Sequence, residues 1–193
     1  MRNIRFHILL VAATSVLVSA AGYGTAGPIC FEAEAANKLT DPMQVTTEQD
    51  ASEKEKTIIS EASGKAYLAI PQGVGKPPKV KGDARITFEV PKDDTYYLWC
   101  RVWWNDECGN SVSISIDDSR PFSFGQDTTY KSWHWVKSPP RIKQLELSAG
   151  RHTLVIANRE DGVRIDQVLL VSSKRYVPVG IEPVTYTPEQ DDE

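Results

Sequence analysis

The stretch Ala84-Arg-Ile-Thr-Phe-Glu-Val90 alternates strictly between apolar and polar side chains. A period of two residues is that of a β-strand with one buried face, because successive side chains point to opposite sides. The buried face of this strand would carry Ala84, Ile86, Phe88 and Val90. The stretch therefore predicts a half-buried strand, and it sets the pattern for its neighbours.

Short β-rich runs continue on the C-terminal side of this strand, separated by turns rich in Asn, Asp and Gly. These runs are Thr95–Trp104, Ser111–Ile116, Thr153–Ile156 and Val163–Val171. Regularly spaced short strands with such turns are typical of a β-sandwich. The sequence thus predicts an all-β domain formed by two packed antiparallel sheets.

The composition limits the class of protein. The chain has 193 residues, of which 40% are apolar and 25% charged, with a net charge of −4. This length suits about one domain, and the apolar content excludes collagenous and disordered chains. A negative net charge lacks the basic patch that nucleic-acid binding needs, so no nucleic-acid partner is expected.

The two ends of the chain differ from the middle. A basic start followed by an apolar run to about Ala21 predicts a cleaved signal peptide over residues 1–26, and hence a secreted, periplasmic or cell-surface protein. That run is too short for a membrane span, so no membrane insertion of the mature chain is expected.

Residues 27–175 would form the sandwich. Residues 176–193, rich in proline and acidic at the end, predict a tail with little packing, or a tether.

Three cysteines, Cys30, Cys100 and Cys108, are an odd number for an exported chain. Cys100 and Cys108 flank a predicted hairpin, which suggests a disulfide between them. Strand parity offers a second interpretation, because Cys100 shares a face with Leu98 and Val102 and would then be a buried thiol. In that case Cys108 would pair with Cys30 or remain free.

All five tryptophans lie between Trp99 and Trp135. On the strand predicted over residues 95–104, Trp99 and Trp103 share one face and Trp104 lies on the other. One of these faces must be core, and the other would be exposed or covered by another element.

Several short motifs together resemble the β-sandwich carbohydrate-binding modules of families 6 and 35. The motifs are Cys30-Phe-Glu-Ala-Glu34, Gly64-Lys-Ala-Tyr67, Trp133-His-Trp135 and Arg164-Ile-Asp-Gln-Val168. The resemblance covers roughly residues 29–173. It implies a jelly-roll β-sandwich of the galactose-binding-like type whose ligand is a polysaccharide or glycan.

The resemblance also implies a structural calcium ion held by Glu32, Glu34 and Asp166, with backbone carbonyls near Ser60 or Glu61. The chemistry of these residues agrees, because Ca²⁺ binds six to eight oxygens, mostly of carboxylates and carbonyls. An aspartate inside an apolar strand is costly unless it is paired or bound to a metal. The alternative is that the two glutamates face solvent and Asp166 pairs with an arginine.

For the sugar site, the resemblance implies a tyrosine and a tryptophan on either side of a pyranose ring. Tyr67 matches the tyrosine, and Trp133 or Trp135, preferably Trp135, matches the tryptophan. Arg164 stands where the family has an asparagine, which speaks against neutral glycans. Since a guanidinium grips carboxylates or sulfates through paired hydrogen bonds, an acidic glycan is the expected ligand.

The sequence contains no nucleophile elbow, zinc-binding helix or phosphate-binding loop. Its acidic pairs lie at turns, where aspartate is common for conformational reasons. We therefore expect no enzymatic activity. The main hypothesis is a secreted carbohydrate-binding protein with a structural calcium, and the alternative is a structural or adhesion module that binds a protein partner at the cell surface or in the periplasm.

Overall fold

The computed structural model describes residues 27–74, 80–139, 141, 142 and 144–189. The predicted signal peptide lies outside these residues. The strands are β1 (Ile29–Glu32), β2 (Lys38–Leu39), β3 (Gln44–Thr47), β4 (Ala66–Ile70), β5 (Asp83–Val90), β6 (Asp94–Trp104), β7 (Ser111–Ile116), β8 (Phe122–Gly125), β9 (Trp133–Lys137), β10 (Leu145–Leu147), β11 (Gly150–Ala157) and β12 (Val163–Val171). One short helix, α1 (Lys56–Ser60), and two 3₁₀ turns, Ala33–Ala35 and Ser63–Lys65, complete the regular structure of this part of the chain.

The strands form two antiparallel sheets. The larger has the order β10-β6-β12-β4-β3, with β1 beside β12 and β9 beside β6, and the smaller has the order β2-β5-β11-β7-β8. The predicted all-β sandwich is confirmed, and the jelly-roll class with it. Strand β5 shows the alternation of buried and more exposed residues that its sequence predicts.

The main core lies between the two sheets. It is formed by the inward side chains of both, the largest of which include Phe31, Phe88, Tyr96, Leu98, Trp104, Ile114 and Phe124. Burial of this continuous apolar layer is the main force that holds the sheets together. Trp104 is fully buried in it, whereas Trp99 and Trp103 lie on the opposite face, as strand parity predicts.

The predicted disulfide between Cys100 and Cys108 is wrong. Residues 105–110 do not form a hairpin, because they carry the chain from β6 in the larger sheet to β7 in the smaller one. Cys100 points into the core, Cys108 is exposed in the connection, and all three cysteines are free thiols. Burial raises the pKa of the Cys100 thiol, which is the buried thiol of the second interpretation.

The face of the larger sheet turned away from the smaller sheet, called the outer face below, is also covered. Residues 51–62, which include α1, lie over its β4 side with Ile59 and Ala62 buried there. Residues 176–186 lie over its β1 side, held there by hydrogen bonds to Cys30 and by Tyr176, although most of their side chains are exposed. Among the described residues, no helix is long and apolar enough to cross a membrane.

Candidate functional site

Three carboxylates meet on the outer face. Glu32 ends β1, Glu34 lies in the following 3₁₀ turn, and Asp166 lies in β12. One oxygen of each lies within 4.8 Å of the others. The sequence predicted this cluster, but it placed Glu34 on a strand. The chain leaves β1 after Glu32, and the turn brings the Glu34 carboxylate back to the same point.

The position of Asp166 depends on an irregularity in β12. Its register against β6 shifts between Ile165 and Gln167. An extra residue at such a bulge changes the direction of a side chain. Here both Asp166 and Gln167 contact groups on the outer face, while Ile165 and Val168 on either side remain in the core.

Protein donors satisfy only part of this carboxylate cluster. The Ser63 N–H donates to Asp166 Oδ1 at 2.9 Å, and the Ser63 hydroxyl donates to Glu32 Oε1 at 2.5 Å. Arg101 forms a buried ion pair with Asp166. Glu32 Oε2 and Glu34 Oε2 are buried without a hydrogen-bond partner among the described residues.

Burial controls the ionisation of all three groups. It raises the pKa of Glu34 to about 8, helped by the negative charges of Glu32 and Asp166. It raises the pKa of Asp166 to about 7, although Arg101 opposes the shift. It also raises the pKa of Glu32 against the hydrogen bonds from Ser63 and Gln167. Even with Arg101 beside Asp166, the three carboxylates together have less positive charge near them than their ionised forms need.

The set of donors fits a divalent cation that prefers oxygen ligands. Two buried and unpartnered carboxylate oxygens, with a third carboxylate beside them, are the kind of ligands that Ca²⁺ takes. The two backbone carbonyls expected to join them have other partners. Lys65 donates to the Ser60 carbonyl, and Arg101 donates to the Glu61 carbonyl at 3.2 Å.

A second group of candidate site residues lies farther along the outer face, beneath residues 51–62. The Arg164 guanidinium stacks 4.4 Å from the Trp103 ring centroid and 5.8 Å from that of Tyr67. Trp133 packs against Tyr67 at 5.9 Å between ring centroids and donates from its indole to the Ile58 carbonyl at 2.8 Å. We call Tyr67, Trp103, Trp133 and Arg164 the arginine–aromatic cluster.

Glu55 closes this cluster. Its carboxylate lies 3.4 Å from the Arg164 guanidinium, and it accepts a hydrogen bond from the Tyr67 hydroxyl at 3.3 Å. Burial alone would raise the pKa of Glu55. Hydrogen bonds from Ser52 and the charge of Arg164 outweigh that effect and lower it. A carboxylate thus already occupies the position in front of the arginine.

The sugar sandwich expected from the sequence does not form. Tyr67 has no exposed surface, because Trp133 and residues 51–62 cover it. Trp135 belongs to a different group on the β1 side and donates to the Gly180 carbonyl at 2.8 Å. The structure therefore brings together Tyr67, Trp133 and Arg164 but separates Trp135 from them.

The chain is similar to known proteins in its three-dimensional structure. No protein-family model and no curated protein matches the sequence. A Podospora anserina GH26-CBM35 β-(1,4)-mannanase matches with a TM-score of 0.55 and 21% identity, over 82% of this chain and 30% of the enzyme. Two family 35 carbohydrate-binding modules from Clostridium thermocellum match with TM-scores of 0.50 and 0.51. Their identities are 13% and 20%, and the matches cover 77% and 74% of this chain and 100% and 97% of the modules.

This chain has the fold of a family 35 carbohydrate-binding module. It spans 30–32% of the length of the mannanase above and of an exo-β-1,3-galactanase from Phanerochaete chrysosporium that also matches. In contrast, the whole of an isolated family 35 module aligns with it. Identities of 21% or less in these matches establish the fold alone.

Within this family 35 fold, sequence reasoning missed two charged residues that shape the site. Arg101 lies between Trp99 and Trp103 on the outer side of β6, so strand parity was the signal that it faces the same way. Glu55 gave no such signal, because its contact with Arg164 joins residues 109 positions apart in the chain.

Proposed function

We propose that the protein is a non-catalytic carbohydrate-binding module that recognises an acidic glycan and is stabilised by a structural calcium ion. Export through the predicted signal peptide is part of this proposal. The observation that carries it is the fold, which aligns with isolated family 35 modules over 97–100% of their length. Those proteins are carbohydrate-binding modules by name.

The calcium part rests on the cluster of Glu32, Glu34 and Asp166. Two of its buried oxygens have no partner among the described residues, and burial disfavours the charged forms. When bound, the ion would supply positive charge that joins the end of β1 to β12. Arg101, which already neutralises Asp166, would hold that carboxylate in place.

The preference for an acidic glycan rests on Arg164. Its Nε is buried and has no partner in the described part of the chain, while its terminal nitrogen faces the Glu55 carboxylate. The arginine is therefore placed against a carboxylate of this chain. A uronic acid or sulfated sugar that displaced Glu55 would find the same donors, with Trp103 beneath the guanidinium.

The alternative, a module that binds a protein partner, is favoured by one observation. Residues 176–186 carry aliphatic side chains on the surface, namely Val177, Val179, Ile181 and Val184, which are 67%, 80%, 51% and 44% exposed. Exposed apolar groups close together commonly mark contact surfaces.

The deciding experiment is calorimetric titration of the full chain in calcium-containing buffer with neutral and uronic-acid oligosaccharides. We expect binding of the acidic set, and a loss of at least tenfold in affinity for Arg164→Ala. The matched control is Arg141→Ala, because Arg141 is exposed on another part of the surface. The absence of heat with every sugar, together with co-purification of one protein partner, would instead support the alternative.

A further inference from the structure

The C-terminal segment, residues 176–189, is called the strap below. It contains the same short motif twice, Tyr176-Val-Pro178 and Tyr186-Thr-Pro188. In both copies the tyrosine is half-buried and the proline is buried, although most of the residues between them are exposed. The strap is therefore anchored at both ends.

The strap caps the open edge of β1. The Cys30 carbonyl accepts the N–H groups of Thr185 and Tyr186 at 2.9 and 3.0 Å. The Thr185 hydroxyl accepts the Cys30 N–H at 2.8 Å and donates to the Pro28 carbonyl at 2.8 Å. Because β12 pairs with the other side of β1, the strap satisfies edge groups that would otherwise be free to join another chain.

The strap also covers the outer face beside β1. Tyr176 packs against the cluster formed by Cys30, Leu169 and Val171. Trp135 donates to the Gly180 carbonyl, and the Gln167 amide forms hydrogen bonds with both backbone groups of Glu182. The sheet thus binds the strap in an extended conformation, largely through hydrogen bonds to the backbone of the strap.

Most of these attachments are hydrogen bonds rather than buried apolar contacts, and Asn37 and Arg151 add polar contacts to Glu189 at the end of the strap. The strap follows β12 through the exposed residues Ser173, Lys174 and Arg175, and it contributes little to the core between the sheets apart from Tyr186. Segments with few buried apolar contacts open at a lower free energy than the global unfolding of a domain. The strap is therefore joined to β12 through one exposed turn and held to the sheet mainly by hydrogen bonds.

We propose that the strap opens and closes over the outer face while the sandwich stays folded, and so gates access to Trp135 and to the β1 edge. The proposal does not rest on the proposed glycan or calcium binding, although Gln167 contacts both the strap and Glu32 of the carboxylate cluster. When the strap is closed, Cys30 is 1% exposed and the edge is capped. When it is open, an aromatic surface and an unpaired strand edge are uncovered together.

The three free thiols make the proposal testable in the full chain without introducing a new cysteine. Cys108 is exposed, Cys30 lies beneath the strap, and Cys100 lies in the core. The experiment is timed modification with N-ethylmaleimide under native conditions, with each cysteine followed by peptide mass spectrometry. We expect Cys108 to react first, Cys30 at an intermediate rate, and Cys100 at least tenfold more slowly than Cys30.

Thr185→Val removes the hydroxyl that ties the strap to Cys30 and Pro28, and we expect it to accelerate modification of Cys30 about tenfold with Cys100 unchanged. Thr187→Val is the matched control, because Thr187 is exposed and makes no side-chain hydrogen bond within the described residues. Equal rates for Cys30 and Cys100 would overturn the proposal, since the strap would then open only on global unfolding. A Cys30 rate equal to that of Cys108 would overturn it as well, because the strap would not be closed.

Discussion

Gln167 and Glu182 form two hydrogen bonds with each other. Gln167 Nε2 donates to the Glu182 carbonyl at 2.9 Å, and the Glu182 N–H donates to Gln167 Oε1 at 3.0 Å. The same amide nitrogen lies 3.4 Å from Glu32 Oε1. One fully buried side chain on β12 thus connects the carboxylate cluster with the strap, and it can do so because the β12 bulge turns it towards the outer face.

Replacing this side chain tests its contribution to stability. Gln167→Leu leaves the Glu182 backbone and Glu32 without their amide partner, and we expect it to lower the free energy of unfolding by about 1–3 kcal/mol. Urea denaturation followed by tryptophan fluorescence measures the change. Gln44→Leu, at an exposed position of β3, is the control. Equal effects of the two substitutions would contradict the role given to Gln167.

The calcium proposal predicts opposite effects of one substitution in two buffers. In calcium, wild-type protein should melt several degrees higher than in EDTA, and Glu34→Gln should abolish most of that gain. In EDTA, Glu34→Gln should be at least as stable as wild type, because it removes a buried carboxylate whose charge burial disfavours. Differential scanning calorimetry measures both.

The control for this experiment is Glu107→Gln, because Glu107 is exposed in the connection after β6. It should retain the full response to calcium. A wild-type melting temperature that is the same in calcium and in EDTA would count against an ion at Glu32, Glu34 and Asp166.

Much of the fold could be predicted from the sequence because strands with one buried face carry their own signal. The alternation in β5 and the parity of β6 are local, and both match the structure. The disulfide prediction failed because sequence does not tell which sheet a strand joins. β6 pairs with β9, β10 and β12, never with the neighbouring β7.

The candidate site was predicted in part, because some of its residues lie in recognisable local motifs and others come together only through tertiary packing. Glu32, Glu34 and Asp166 meet as expected because a motif marks each of them. The burial of Tyr67 was not predictable, since it depends on Trp133 and on residues 51–62 folding over β4. The strap was not predicted because its prolines break any strand pattern. Its contact with β1, between Thr185 and Cys30, joins residues that are 155 positions apart in the chain.

The acidic-glycan proposal predicts that one carboxylate of the chain competes with the ligand. Glu55→Gln removes the charge in front of Arg164, and we expect the affinity for uronic-acid oligosaccharides to rise about fivefold, with neutral sugars unaffected. Calorimetric titration measures the change. The exposed Glu48→Gln should leave the affinity unchanged. Weaker binding by Glu55→Gln would show that Glu55 supports the ligand rather than competing with it.

His152 gives the sandwich a pH dependence that is separate from the carboxylate cluster. Nδ1 lies 2.7 Å from Asp117 Oδ2, and Nε2 lies 2.9 Å from the Ser148 carbonyl. Both partners only accept hydrogen bonds, so the protonated imidazole with two N–H groups fits best. Burial alone would lower the pKa of His152, but these hydrogen bonds and the charge of Asp117 outweigh it and raise the pKa above its usual value.

A histidine whose pKa is raised by folding stabilises the native state fully below its unfolded pKa, about 6.5, and loses that contribution as the pH rises through the folded pKa. We therefore expect the urea midpoint to fall between pH 6 and pH 8.5. Asp117→Asn keeps an oxygen for the Thr153 N–H but offers His152 a donor, so the neutral ring fits and the fall should shrink. The fall that remains comes from Asp166 and Glu34, whose pKa values burial raises to about 7 and about 8. The exposed Asp118→Asn should behave as wild type. An undiminished fall in Asp117→Asn would place the pH dependence elsewhere.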